Sequence, residues 1–415
     1  MEEDLKKELL DYNQKNPKGK VLIFEDKILE LKSPVLSYLY LRDFAGLKRK
    51  EHLQVIINSK DPYYNYLVAR YIDGIDITPH EQVVLDSKNG EYNYLFAKNI
   101  PSANIDAHKQ AVLESKDPEW NYKYCKDLDT TDILSYEKLV LASNKPKWCY
   151  YFAKNIKGAN IKELEKIVLA EKDPEWNYYF ANEIPGAKKE EHEQIVLASK
   201  SLIWNLLFAN KTGVAKRKEH TNIILESKDP EFNYYYIKRI KGTDISLNIE
   251  VIINSKDPKY NYQLVIEKLS DKTLLHEQAI IDSGSLYWNY LYAKNIAGAN
   301  IKAHGGVIIN SNDPEWNYKY AKDIPTAEIK KHALAVINSN NPEWNYLFAK
   351  DIKEANIEDH GKVILASNNQ NIIELYKVLL KEKNPNQYRL LIEKEQKKLE
   401  IDRINLLIKQ YKKDN

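Results

Sequence analysis

Asp313-Pro314-Glu315-Trp316-Asn317-Tyr318-Lys319-Tyr320-Ala321-Lys322-Asp323-Ile324, followed by Pro325-Thr326-Ala327 and by Glu328-Ile329 through His332, Val336, Ile337 and Ser339, is the clearest copy of the pattern that decides the fold. Its tryptophan is matched, in steps of 28 residues, by Leu36, Tyr64, Tyr92, Trp120, Trp148, Trp176, Trp204, Phe232, Tyr260, Trp288 and Trp344. The block runs from Ser33 to Asn368 as twelve units without insertion or deletion. A fixed short period means that every unit fills the same volume, which is the signature of a repeat architecture. Positions are numbered 1 to 28 from the residue equivalent to Asp313.

Positions 1 to 12 carry helix start signals: Asp or Asn as N-cap, Pro at the first helical position and Glu in the first turn, as in Asp117-Pro118-Glu119 and Asp173-Pro174-Glu175. Gly, Pro and Ala at positions 13 to 15 interrupt the pattern, and Asn104, Asn160, Asn300 and Asn356 at position 16 cap a second helix. No segment alternates with period two, so no sheet is expected. A short antiparallel hairpin cannot bury a face alone and must stack on its neighbours, giving a curved, quasi-one-dimensional array. Residues 33 to 368 therefore predict an all-α solenoid of twelve helical hairpins. In architecture this resembles the HEAT, tetratricopeptide and Pumilio repeat classes. The 28-residue period is shorter than theirs and their signatures are absent, so the resemblance implies an extended concave binding surface and no particular site residue.

The ends differ from the repeats. Residues 1 to 32 hold an amphipathic stretch around Leu5, Leu9 and Leu10 and the apolar run Val21-Leu22-Ile23-Phe24, an N-terminal cap. In residues 369 to 415 the period fades, and Leu390-Leu391-Ile392 through Leu399, Ile401, Ile404, Leu406 and Leu407 read as one longer, Lys-rich helix ending in Lys412-Lys413. That helix is expected to cap the array, with partner docking as the second reading.

Lys plus Arg number 62 against 60 for Asp plus Glu, so no global field steers the chain onto nucleic acid or an anionic membrane. Cys125 and Cys149 supply neither a disulfide framework nor a metal-ligand cluster, which fits a reducing compartment. No secretory signal or membrane-length apolar run is visible. A soluble cytoplasmic protein is expected. The abundance of Tyr, Lys, Asn and Ile suggests an AT-rich genome, and with it a phage or viral protein in the host cytoplasm and an anti-defence role.

At 100° per residue, positions 4, 5, 8, 9 and 12 share one arc of the first helix and are expected to be buried, while positions 3, 7, 11 and 14 vary and are expected to face solvent. Positions 17, 20, 24 and 27 form the stripe of the second helix. All nine histidines stand at position 20: His52, His80, His108, His192, His220, His276, His304, His332 and His360. Equivalent side chains of packed helices lie roughly 10 Å apart, too far to share one ion, and no second ligand recurs beside them. They read as a structural polar network of buried imidazoles whose partners are Asn at position 5 and Ser at position 27. The unit carrying Cys149, Leu164 and Glu171 departs at all three of these positions together, while Ser37, Tyr136 and Asn248 break the pattern singly.

A row on the flank of the first helices is the candidate binding site. Tyr66, Tyr94, Tyr122, Tyr150, Tyr178, Tyr234, Tyr262, Tyr290, Tyr318 and Tyr346 stand at position 6, and Lys98, Lys126, Lys154, Lys238, Lys294, Lys322 and Lys350 stand one turn on, at position 10. Rings interleaved with cations suit single-stranded nucleic acid, because bases stack and phosphates pair. The competing reading packs each tyrosine between neighbouring first helices with lysine snorkelling over it. Units from Ser201 to Lys268 are the least regular, and Gly305, Gly306 and Gly361 inside second helices point to close packing. No phosphate loop, nucleophile elbow, Cys/His pair or standout carboxylate pair is present. The expectation is a non-enzymatic scaffold or inhibitor without cofactor or metal. It takes a protein partner along the solenoid surface, with a sequence-tolerant single-strand binder as the alternative, and no membrane is involved.

Overall fold

The computed structural model describes residues 2–15, 22–44, 48–211 and 216–414. Among them every regular element is a helix. The fold is an all-α solenoid of helical hairpins, and each hairpin follows the same local rules. Pro314–Asp323 is a first helix: Asp313 caps it by accepting from Trp316 N–H, and Pro314 occupies the first turn, where no backbone donor is missed. Ile329–Asn338 is the second helix of that unit. Position 28 ends the second helix in the left-handed region, at φ 51° to 55° for Lys60, Lys88, Lys116, Lys172, Lys200, Lys228 and Lys256. A side chain in that region costs about 1–2 kcal/mol. A cation next to the helix C-terminus offsets part of this, and Lys88 and Lys256 also reach Glu114 and Asp282 of the following hairpins, each at 2.9 Å.

The chain divides into two compact units, residues 1–208 and 209–415. In the first, successive first helices pack side by side around residues such as Tyr122, Phe152, Ile156 and Phe180, and Val140 and Val168 close the core from the second helices. Second helices diverge more and leave grooves such as the one lined by Ile57, Lys60, Val83 and Asp86. The second unit repeats the plan, with Tyr318, Val336, Phe348 and Ile352 in one of its clusters.

Both ends obey the register more closely than the sequence suggests. Glu2–Lys15 and Leu22–Leu31 form a degenerate hairpin, in which Leu5, Leu9 and Ile28 pack on Leu36, Tyr40 and Phe44. Ile28 takes the place of Ile56 one period earlier, and Glu25 accepts the Lys48 N–H at 2.7 Å. Val21 and the side chains of Leu10, Leu22, Ile23 and Phe24 lie outside the described residues. At the other end, Asn369 caps Gln370–Lys383 as a further first helix. Its Tyr376 donates to Ile357 O at 3.1 Å, as Tyr124 and Tyr320 donate to Ile105 O and Ile301 O one or more units earlier. Pro385–Asp414 then follows as a single 30-residue helix.

Candidate functional site

The position-20 histidines are fully buried, and they hold the position-5 asparagine of their own hairpin, which in turn reaches the hairpin before it. In the unit of His108, Asn93 Nδ2 donates to Val84 O of the preceding hairpin at 3.0 Å and to Asn89 O at 2.8 Å. Both amide hydrogens are then used, so Asn93 Oδ1 must accept, and it faces His108 Nδ1 at 2.8 Å. Nδ1 therefore carries the proton. The same geometry holds at His80, His192, His276, His304, His332 and His360, with Nδ1 to Oδ1 at 2.7–2.8 Å. Serine at position 27 does not touch the histidine, contrary to expectation. Its hydroxyl donates to the position-24 carbonyl, as Ser87 does to Val84 O at 2.6 Å, and so joins the network through the carbonyl that Asn93 shares.

The exceptions test this logic. Tyr136 replaces histidine, turns its hydroxyl to Asp129 and leaves Asn121 Oδ1 without a partner among the described residues. Asn248 replaces it by donating its amide to Asn233 Oδ1 at 2.8 Å. Leu164 offers nothing, and the residue it faces is Cys149 rather than asparagine.

Histidine Nε2 meets different neighbours. Ser270 Oγ is 2.9 Å from His276, and Glu81, Glu165 and Glu277 of preceding hairpins lie 3.2 Å from His108, His192 and His304. Each of these carboxylates also accepts the position-16 N–H of the next unit, as Glu81 does from Asn104 at 2.6 Å. Burial pushes His52, His80, His220, His276, His332 and His360 down to about 4. It lowers His108, His192 and His304 too, against the pull of the facing glutamates. Where position 21 is glycine instead of glutamate, a tyrosine from the next hairpin fills the space. A Cβ at Gly305 would press on the Tyr320 ring, and one at Gly361 would overlap Tyr376.

Most of the position-6 tyrosines are buried: Tyr66, Tyr94, Tyr122, Tyr150, Tyr178, Tyr234, Tyr262 and Tyr318, with Tyr290 and Tyr346 partly so. Their rings pack against position 4 of the following hairpin, as Tyr94 does on Trp120 and Tyr318 on Trp344. Their hydroxyls meet position 11 of that hairpin: Tyr94 donates to Asp127 at 2.5 Å, Tyr150 to Glu183 at 2.6 Å and Tyr234 to Glu267 at 2.7 Å. Tyr290 and Tyr318 do the same to Asp323 and Asp351. Asn99, Asn155 and Asn295 instead donate to Tyr66, Tyr122 and Tyr262. The lysines complete the triads: Lys98, Lys154, Lys238, Lys294 and Lys322 pair with those carboxylates at 2.5–3.0 Å. Lys126 and Lys350 lie over the rings of Tyr122 and Tyr346. The row is a seam between hairpins, and the ring faces needed for base stacking are largely covered.

Two assignments of faces change accordingly. Position 11, expected to be free at the surface, is committed to the seam in these eight units, whereas Tyr71 stays exposed. Position 4, expected to be buried, is only half-buried at Trp120, Trp176, Trp204, Trp288, Trp316 and Trp344, because it sits over the seam tyrosines on the outer side. Position 7, half-buried throughout, lies beside it. Together they build a half-exposed aromatic wall on the first unit: Tyr151, Trp176, Tyr179 and Trp204 follow one another with ring centroids 5.6–5.9 Å apart, and Tyr151 starts the wall against the buried Trp148. Lys123 lies 3.8 Å over Trp120 next to it. The position-11 signal was present in the sequence as a sign rule at a spacing of 29, Lys98 with Asp127 and Lys154 with Glu183, which inspection within single units does not reveal.

Among the described residues no group of three or more His, Cys, Asp or Glu could hold a metal ion. Cys125 and Cys149 are buried, and burial pushes both thiols up to about 12, which makes them poor nucleophiles. No described helix is long and apolar enough to cross a membrane. No protein family, no curated protein and no solved structure matches the chain.

Proposed function

We propose that this chain is a non-enzymatic scaffold that takes a protein partner on the first-helix face, over positions 3, 4 and 7. The observation that carries the reading is the continuous half-exposed aromatic wall from Tyr151 to Trp204. Aromatic side chains offer large contact area at low entropic cost and are enriched in the cores of protein interfaces. The wall's tyrosines are not needed to close the core, since position 7 is filled elsewhere by Lys123, Gln263 and Lys319. Single-strand binding draws less support: the tyrosine faces are covered, and five of the seven lysines already neutralise carboxylates.

The test is a pair of full-length baits, wild type and Tyr151→Ser with Tyr179→Ser, exposed to lysate of the native host. The reading expects a defined protein retained by the first and lost from the second, with unchanged helix content. The same proteins on both baits would refute the assigned face. Oligonucleotide binding that weakens steeply with salt would favour the nucleic-acid alternative.

A further inference from the structure

Where position 21 is glutamate, its carboxylate bridges two second helices by accepting the position-16 N–H of the next unit, as Glu165 does from Lys188 at 2.7 Å and Glu277 from Asn300 at 2.6 Å, and both also face the histidine of that unit. Between Arg217–Ser227 and Ser246–Ser255 both members of this contact are missing. Thr221 stands in place of the glutamate and spends its hydroxyl on Arg217 O at 2.8 Å and on the Tyr236 hydroxyl at 2.7 Å. Asn248 stands in place of the histidine. An open cavity of about 430 Å³ lies between the two helices. Three of the nine buried side-chain polar atoms that lack a partner among the described residues belong to its lining: Arg217 Nε, Thr243 Oγ1 and Asn248 Oδ1. Leaving such atoms unpaired is costly, so their clustering points to a ligand.

We propose that this cavity binds a free α-amino acid with an apolar side chain. The lining divides by charge between its two walls. Arg217 and Lys218 come from the first helix, and both can only donate. Arg217 Nη2 is spent on Lys211 O at 2.7 Å, which leaves Nε as the donor for a carboxylate. That carboxylate supplies, on the same side, the anionic acceptor that Thr221 does not. Asp244 and Asn248 come from the second wall. The Asn248 amide nitrogen already donates to Asn233 at 2.8 Å, so its Oδ1 calls for a donor from outside. With the Asp244 carboxylate beside it in the lining, an ammonium group answers that call. Leu225, Leu247 and Tyr236 offer apolar surface to a side chain. A phosphate would meet Asp244 and leave Asn248 without a donor, and a purely apolar ligand would leave all three orphaned atoms unpaired. A zwitterion satisfies the donor and the acceptors together.

The test is calorimetric titration of the full chain with leucine and with phenylalanine. Saturable binding of one molecule per chain is expected, weakened about tenfold or more for leucinamide and for N-acetyl-leucine, each of which lacks one charged end. Asn248→His restores the residue that the repeat places here, keeps a donor for Asn233 and puts an imidazole where the ligand sits. This variant should fold with the same helix signal and lose binding. Absence of saturable binding of both amino acids to the wild type, or undiminished binding to Asn248→His, overturns the proposal. N-acetyl-leucine bound as tightly as leucine would reveal a site for a carboxylate alone and overturn the assignment to a free amino acid.

Discussion

Lowering the pH from 7 to 5 should unfold this protein through its histidines rather than its carboxylates. His52, His80, His220, His276, His332 and His360 are held near 4 by burial, whereas an unfolded imidazole titrates at 6.5. The unfolded chain therefore binds a proton at pH 5 that the folded chain refuses. Stability is complete above about pH 6.5, falls as the pH drops toward 4, and levels off once the buried rings also protonate. Integrating the linkage between those limits, each histidine withdraws about 2 kcal/mol at pH 5. Four of the six lie in residues 209–415, for a loss of about 8 kcal/mol, comparable with the ~5–15 kcal/mol total stability of an ordinary domain. The measurement is the urea midpoint followed by helix signal at pH 7 and pH 5, on the wild type and on His332→Asn. Asparagine is the replacement the chain itself uses at Asn248, where the amide keeps the bond to the facing Asn233. At pH 7 the variant should be the less stable, because it loses the stack of His332 on Tyr320. At pH 5 that gap should shrink by about 2 kcal/mol, since the variant has nothing to titrate at this position. An identical gap at both pH values would refute the assignment of a neutral, proton-refusing imidazole.

Three further outcomes follow from the packing. His304→Leu should cost about 1–3 kcal/mol, because it strands Asn289 Oδ1 in the core; an unchanged melting temperature would contradict this. Tyr94→Phe should cost about 0.5–1.5 kcal/mol, whereas Lys98→Ala should cost under about 1 kcal/mol, its pair with Asp127 being half in solvent; a double-mutant thermal melt compares them, and a dominant lysine would mean that the seam is electrostatic. Gly361→Ala should destabilise the last hairpin by about 1–3 kcal/mol through its overlap with Tyr376, while Gly306→Ala, which meets nothing, should stabilise by up to about 1 kcal/mol; equal effects in urea melts would show that the two glycines do not differ in packing.

What the sequence makes legible is what repeats within one unit. The caps at Asp313 and Asn300, the placement of histidine at position 20 and its pairing with the position-5 asparagine all lie inside 28 residues, so periodicity and hydrogen-bond demand expose them together. What stays hidden is what crosses between units. Asp127 is variable when compared with its equivalents Asn99, Asn155 and Glu183, and looks unconstrained until it is set beside Tyr94 of the preceding hairpin. Trp176 likewise scores as core by its hydrophobicity, yet the tyrosine beneath it takes the interior and leaves the indole at the edge. The degenerate first hairpin was masked by composition, since Ile28 and Glu25 keep their positions while their surroundings lose the Asp-Pro and Asn-Tyr marks.

The same distinction indicates where selection on binding can act. A residue inside the network is constrained by partners in two hairpins: changing His108 strands Asn93 Oδ1, and changing Asn93 takes away the amide that donates to the Val84 carbonyl of the preceding hairpin. Position 11 is constrained by the tyrosine before it where the two are paired, and the glycines Gly305 and Gly361 at position 21 are constrained by the close approach of Tyr320 and Tyr376 from the next hairpin. Positions 3 and 7 of the first helix carry no such obligation, and they are where the chain moves between Glu119 and Lys147, or between Lys123 and Tyr151, without disturbing a buried bond. On the proposed reading, partner choice would change by substitution along one face while the interior stays fixed. Tyr151 and Tyr179, which join the repeat's own tryptophans into a wall, are therefore a local choice made by position 7 and not a by-product of the repeat.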